Sequence, residues 1–452
     1  PSYCACVNSM GVRGLSRDSP PIEGCAHCYL RSPHEGEFRI ITTPLTLGGS
    51  SHTLPFWARL ERSFRMDFCS AEELRRIGSL KWTGVKPADG SDVLGAWVAE
   101  MDFGTAPCVE ERMTRAIREG LLGYNPRWLE PEVAQATAHF QKKRFGWDLE
   151  VDSIRMAPAV LPALEVMIQH MVRPGSPVIV PTPAYMPFLT IPPALGHPVI
   201  DVPSLHDDAY PGGWTLDLEG IKAGLEAGAG LVILCNPWNP VGRVLTESEM
   251  RALQMLVSQY DALVFADEIH SPLVFGGRGF TSYARLGSEF AAHTITATAA
   301  TKGWNIAGLP NAQVIVPDQE LRTRWDRLCQ EKLPHSTSTI GALGTIEAYT
   351  NGDDWQHKVL SVIEGNIRTV TEALAPTEID FRPPQATYLT WWGFEAYPEL
   401  GPNPSKTLLQ RAHIATNEGI TLGERYSKWV RVNLACSPQV TEELVSRVLG
   451  VI

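Results

Sequence analysis

Three apolar runs, LVILC at 231–235, ALVFA at 262–266 and HTITATAA at 293–300, stop respectively at Asn236-Pro237, at Asp267 and just before Thr301-Lys302. Runs of this length that are apolar throughout, without alternation, predict strands buried on both faces of a parallel sheet. Between the first two, Thr246 and Glu249 have capping-box spacing, and EMRALQMLVSQY places apolar residues at helical intervals. Strand, helix, strand is an α/β unit, in which ligands bind outside the carboxyl ends of the strands. Asn239, Asp267 and Lys302 each follow such an end, so the pattern predicts that they share one crevice. A second helix is predicted from Pro162 to about His170, and Asn351-Gly352 in AYTNGDDW (348–355) breaks a helical pattern. PGGW (211–214) and FGGRGF (275–280) predict surface turns; the second lacks the strand-to-helix context of a phosphate loop. The chain shows no internal repeat and no low-complexity segment.

The three residue types suit one cofactor. A lysine amine, once desolvated or deprotonated, is a nucleophile that can hold an aldehyde covalently. An aspartate beneath a pyridine nitrogen keeps it protonated, so the ring draws electrons from a substrate α-carbon. Asn239 can donate to a ring hydroxyl. Taken singly, each has a plainer reading, a surface lysine or an aspartate closing a turn. Their conjunction in order predicts a pyridoxal 5′-phosphate (PLP) site.

With these residues in view, the chain resembles the fold-type I PLP enzymes, and among them the cystathionine β-lyase branch called the MalY/PatB family. AWVAEMDFGTAP (96–107), LGYNPRW (122–128), MAPAVLPAL (156–164) and PTPAYMPF (181–188) follow the family order. So do NPWNPVGRV, DEIHSPLVF, TKGWNIAGL, QATYLTWW (385–392) and WVRVNLAC (429–436). The resemblance runs from about Met66 to the end, and nothing before Met66 matches.

The resemblance implies roles for individual residues. Lys302 corresponds to the cofactor-holding lysine, Asp267 to the pyridine partner and Asn239 to the ring-hydroxyl donor. Tyr185 resembles the aromatic lying against the cofactor ring, its alternative being a core aromatic. Arg431 resembles the arginine that grips the substrate α-carboxylate with a fork of donors; the alternative is a solvated surface residue. Backbone N–H groups at the start of the helix, led in by Ala159, Val160 and Leu161, are expected to hold the phosphate. Thr301 adds a hydroxyl. Tyr124 resembles the tyrosine that reaches the phosphate of a second subunit's cofactor, implying a homodimer with sites at the interface; its alternative is simple packing. His270 is expected near the cofactor as a structural hydrogen-bonding residue rather than a base.

Departures from the family pattern sharpen the reading. Aminotransferases of this fold usually carry a phosphate-pairing arginine eight residues after the lysine, where this chain has Pro310. That favours the lyase branch. Trp238 stands where the family usually has His, and Glu100 where it usually has Asp. The glycines usual before the final arginine motif are reduced to Gly423.

Composition narrows the partners. The 452 residues, 44% hydrophobic and 20% charged with a net charge of −11, read as a globular chain of two or three domains. The acidic balance argues against nucleic acid, whose binding rests on clustered Lys and Arg. No apolar stretch is long enough to span a bilayer and no leader opens the chain, so a cytoplasmic enzyme is expected. Cys4, Cys6, Cys25, Cys28 and His34 are zinc-ligand types, but they sit among Pro, Gly and Ser without apolar periodicity, and no metal is expected. Cys235, on an apolar run, reads as a buried small hydrophobe.

The expected architecture is therefore α/β, fold-type I. Residues 1–65 form an extension without a family match, either non-native or disordered. Residues 66–110 and 345–452 form a smaller α+β domain, and 111–344 a large PLP-binding domain with a mostly parallel sheet flanked by helices. The expected activity is β-elimination from L-cystathionine or related cysteine S-conjugates, giving thiol, pyruvate and ammonia. An aminotransferase and a PLP-containing regulatory protein stand as alternatives.

Overall fold

The computed structural model describes residues 68–333 and 337–452, together with the strands Cys4–Asn8, Gly11–Leu15 and Tyr29–Leu30. Pro1–Arg65 and Met66–Ile452 are separate compact units. In the first, Cys4–Asn8 pairs antiparallel with both other strands. Cys25, Cys28 and His34 lie outside the described residues, and Cys4 and Cys6 are placed only as strand positions. Among the described residues, no three His, Cys, Asp or Glu side chains gather to hold a metal ion. Nor is any helix among them long and apolar enough to cross a membrane.

A seven-stranded sheet organises the second unit. In chain order its strands are β1 (Ile154–Ala157), β2 (Val178–Thr182), β3 (Val199–Pro203), β4 (Leu231–Cys235), β5 (Leu263–Asp267), β6 (Thr294–Thr298) and β7 (Ala312–Ile315). Their spatial order is β1-β7-β6-β5-β4-β2-β3. Only β7 runs antiparallel to its neighbours. The three apolar runs are β4, β5 and β6, side by side at the centre, where both faces are covered. In register, Cys235 lies opposite Asp267 and Asp267 opposite Ala297, so the three carboxyl ends are level.

Helix α1 (Val160–His170) follows β1, and α2 (Glu247–Val257) joins β4 to β5. Thr246 and Glu249 form the predicted capping box at the start of α2. Helix α1 begins two residues earlier than the sequence predicted, taking Pro162 into its first turn. Proline is tolerated there because its missing N–H would have no intrahelical partner. A helix over Thr339–Asn351 ends at Gly352, and α3 (Asp353–Leu374) starts directly after it. Gly352 is required by packing: a Cβ there would collide with Trp304 Nε1, which donates to the Gly352 carbonyl at 3.1 Å.

A smaller sheet holds β8 (Leu389–Gly393) against β9 (Trp429–Asn433), flanked by Asp380–Phe381 and Asn417–Glu418. Leu74, Trp82 and Met101 share one hydrophobic core with Val359 and Ile363 of α3, Leu389 of β8 and Val432 of β9. Leu273 and Phe275, from the middle of the chain, join the same core. Lys81, fully buried, donates from Nζ to Asp102 Oδ2 at 3.0 Å and to the Ala435 carbonyl at 3.2 Å. Trp82 Nε1 donates to the other Asp102 oxygen at 3.0 Å, so both carboxylate oxygens are paired away from water.

Candidate active site

A cavity of about 290 Å³ opens at the level ends of β4, β5 and β6. Asn239, Asp267, His270, Thr301, Lys302 and Arg431 line it, as do Tyr185 and the residues Ala159, Val160 and Leu161 leading into α1. Asn239 and Asp267 come from the ends of β4 and β5, and β6 runs into a short helix over Ala300–Gly303 that carries Lys302. Arg431 arrives from the other sheet, on β9, opposite Trp391 of β8 and Asn417.

Electrostatics set the state of each group. Asp267 is 4% exposed; burial raises its pKa to about 6, against a hydrogen bond from the Ile269 N–H and the charge of Lys302. Lys302 is lowered to about 8, chiefly by burial and then by Arg431, while its Nζ donates to the Ala99 carbonyl at 3.2 Å. An amine near 8 is about one-tenth neutral at pH 7, far more than an ordinary lysine, and that fraction can act as nucleophile or base. Burial, Lys302 and Arg431 together push His270 down to about 3, leaving it neutral. His270 Nδ1 lies 3.0 Å from Thr387 Oγ1. Thr387 has φ 63°, a left-handed conformation unfavourable for a β-branched residue, and so is held under strain beside the cavity.

Arg431 is 3% exposed and deeply engaged. It donates to Asn239 Oδ1 at 3.1 Å, to Asn417 Oδ1 at 2.6 Å and to the Trp97 carbonyl at 3.3 Å. Its Nε is buried without a partner, as is Nδ2 of Asn311 on the same cavity wall. Unpaired buried donors are costly, and here both belong to residues lining a cavity that could accept an anionic ligand. The first turn of α1 adds more: its N-cap, Ala159, offers no side-chain acceptor, so the leading N–H groups are free to meet an oxyanion.

The profile of the aminotransferase class I and II family matches residues 92–448. The chain belongs to that family. Within this family it is 33% identical to the cystathionine β-lyase of Corynebacterium glutamicum, over 86% of this chain and all of that one. It is 29% identical to the cystathionine β-lyase PatB of Bacillus subtilis, over 85% of this chain and 99% of that one. A solved structure from Corynebacterium diphtheriae, assigned as a PLP-dependent β-cystathionase, superposes with a TM-score of 0.78 at 34% identity, covering 86% of this chain and 99% of that one.

The structure brings together every expected site residue but one. Tyr124 lies outside the cavity with its side chain fully exposed, so the alternative in which it packs within its own chain is not realised. Cys235 differs from the expected buried hydrophobe: it is only half-buried, on the cavity wall, because β4 ends there. Pro310 also lines the cavity. Sequence reasoning missed Asn311, Asn417 and Thr387. Thr387 lay inside the quoted QATYLTWW segment, but its backbone conformation has no signature in residue type; Asn417 and Asn311 carried no motif at all.

Proposed function

We propose that this chain is a PLP-dependent carbon–sulfur β-lyase that cleaves L-cystathionine or related cysteine S-conjugates to a thiol, pyruvate and ammonia. The observation that carries the reading is the placement of Lys302, Asp267, Asn239 and Arg431 around one buried cavity. The donor set fits the cofactor. Lys302 would hold the aldehyde, Asp267 the ring nitrogen and Asn239 the ring hydroxyl, with Tyr185 beside the ring. The first N–H groups of α1, with Thr301, would hold the phosphate. When bound, PLP acts as an electron sink for the substrate α-carbon.

The chain's own residues supply the rest. Arg431, dry and forked, takes the α-carboxylate and fixes the substrate's orientation. Lys302 moves the α-proton, its pKa near 8 suiting a base at neutral pH. The β-sulfur leaves as thiolate, and the remaining three-carbon fragment hydrolyses to pyruvate and ammonia. His270, neutral and tied to Thr387, positions rather than transfers protons. Pro310 on the cavity wall supports a lyase over an aminotransferase, which usually has a phosphate-pairing arginine there.

We read residues 66–110 with 345–452 as the small domain and 111–344 as the large one, a division supported by the core that Leu74 and Trp82 share with α3 and β9. The active unit on this reading is a cytoplasmic homodimer in which Tyr124 reaches the cofactor phosphate of a second copy. Its full exposure, beside exposed Leu122 and Trp128, supports that role. The direct test is Lys302→Ala, which should lose turnover by at least about 100-fold, the scale of general-base catalysis, while circular dichroism stays native. Near-normal activity in that variant would overturn the assignment.

A further inference from the structure

The glycine-rich turn FGGRGF, which the lyase reading leaves without a role, borders a second cavity of about 560 Å³ that shares no lining residue with the first. That volume falls among small-molecule sites. Its floor is apolar: Phe145, Phe275 and Phe280 are buried, and Phe145 meets Phe280 edge to face at 4.9 Å. Gly276 and Gly277 have φ 62° and 66°, consecutive left-handed positions that glycine adopts without strain and that leave one wall free of side chains.

Around this floor stand Arg144, Arg278 and Arg285. Acidic residues outnumber basic ones in this chain, 50 to 39, so a guanidinium ordinarily has carboxylates to meet. The adjacent Lys142 and Lys143 do so, with Asp148 at 2.9 Å and Asp353 at 2.7 Å. Among the described residues, none of the three cavity arginines has a carboxylate within ion-pair distance. Arg144 is half-buried, and burial lowers its pKa against the pull of Asp353. Its guanidinium reaches His357 Nε2 at 2.9 Å, and since arginine only donates, that nitrogen accepts. Gly146 leaves room for Arg285, whose Nη2 would stand 3.3 Å from a Cβ placed there. Glu364 is the single carboxylate among the lining residues.

We propose that this cavity binds a small phosphomonoester, its oxyanion held by Arg144, Arg278 and Arg285 and its apolar part resting on the phenylalanine floor. Guanidinium forks match phosphate geometry with two parallel bonds each; Arg144 is half-buried, while Arg278 and Arg285 are exposed at the cavity rim. The site is independent of the lyase chemistry.

The test is calorimetric titration of the full-length, PLP-loaded protein with phenyl phosphate in phosphate-free buffer, so that the cofactor already fills its own phosphate site. One saturable site is expected. The double variant Arg278→Gln/Arg285→Gln should weaken binding at least about tenfold, as loss of charge-assisted bonds predicts. Arg324→Gln, at a separate surface cluster, should leave it unchanged, and thermal melting shows that each variant is folded. Absence of saturable heat up to about 10 mM, a very weak affinity, or equal affinity in the double variant and the parent would overturn the proposal.

Discussion

Arg431 donates to Asn239 Oδ1 at 3.1 Å, which ties the residue proposed to grip the substrate carboxylate to the residue proposed to face the cofactor's ring hydroxyl. With its oxygen engaged, Asn239 has only amide N–H donors left for the cavity. Asn239→Asp should replace this bond with an ion pair that competes for Arg431 and removes the donor. A fall in kcat/KM of about 100-fold, with KM rising, is expected in steady-state pyruvate formation. A change under about twofold would show that the coupling does not matter.

Asp267 gives a pH signature in cofactor binding. Its pKa near 6, raised by burial, means that it takes up a proton as the pH falls through about 6 and loses the charge that would pair with a protonated ring nitrogen. PLP affinity, followed by absorbance, should weaken across that window more steeply in the parent than in Asp267→Asn, which has no carboxylate to titrate. Identical pH profiles for the two proteins would rule Asp267 out as the ring-nitrogen partner.

Glu249 links the start of α2 to a buried arginine. Arg243, 1% exposed, donates to both its oxygens, at 2.7 and 2.6 Å, and Thr215 and Thr246 add bonds. Burial by itself would raise the pKa of Glu249, but these bonds outweigh it and hold it at about 2. The folded value lies below the ordinary 4.5, so the stabilisation is present above that pH and is lost as pH falls towards about 2. Glu249→Gln leaves Arg243 without its counter-charge and should cost about 3 kcal/mol in denaturant unfolding at neutral pH. The gap to the parent protein should narrow on acidification below about 4.5; a constant gap would mean that the charge contributes nothing.

How much was legible follows from which signals are local. The central strands β4, β5 and β6 could be read because a strand covered on both faces must be apolar along its length, and the residue ending each run is then placed by the sheet alone. The capping box of Thr246 and Glu249 and the break at Gly352 were equally local. The antiparallel course of β7 was not, since strand direction depends on how chain segments far apart are joined. Arg431 was found through its motif, yet its hold on Asn417 depends on pairing across the smaller sheet, which no spacing encodes. The strain at Thr387 lies in the backbone and leaves no trace in side-chain chemistry. FGGRGF was read only as a surface turn, and nothing in the sequence set Arg144 beside Arg278 on one cavity.

The most direct measurement is incubation of the purified, PLP-loaded protein with L-cystathionine in the absence of any keto acid, with pyruvate and free thiol followed together. Equimolar release of both is expected from β-elimination at the Lys302 site. No release without a keto acid, followed by turnover once one is added, would contradict the account and make the protein an aminotransferase.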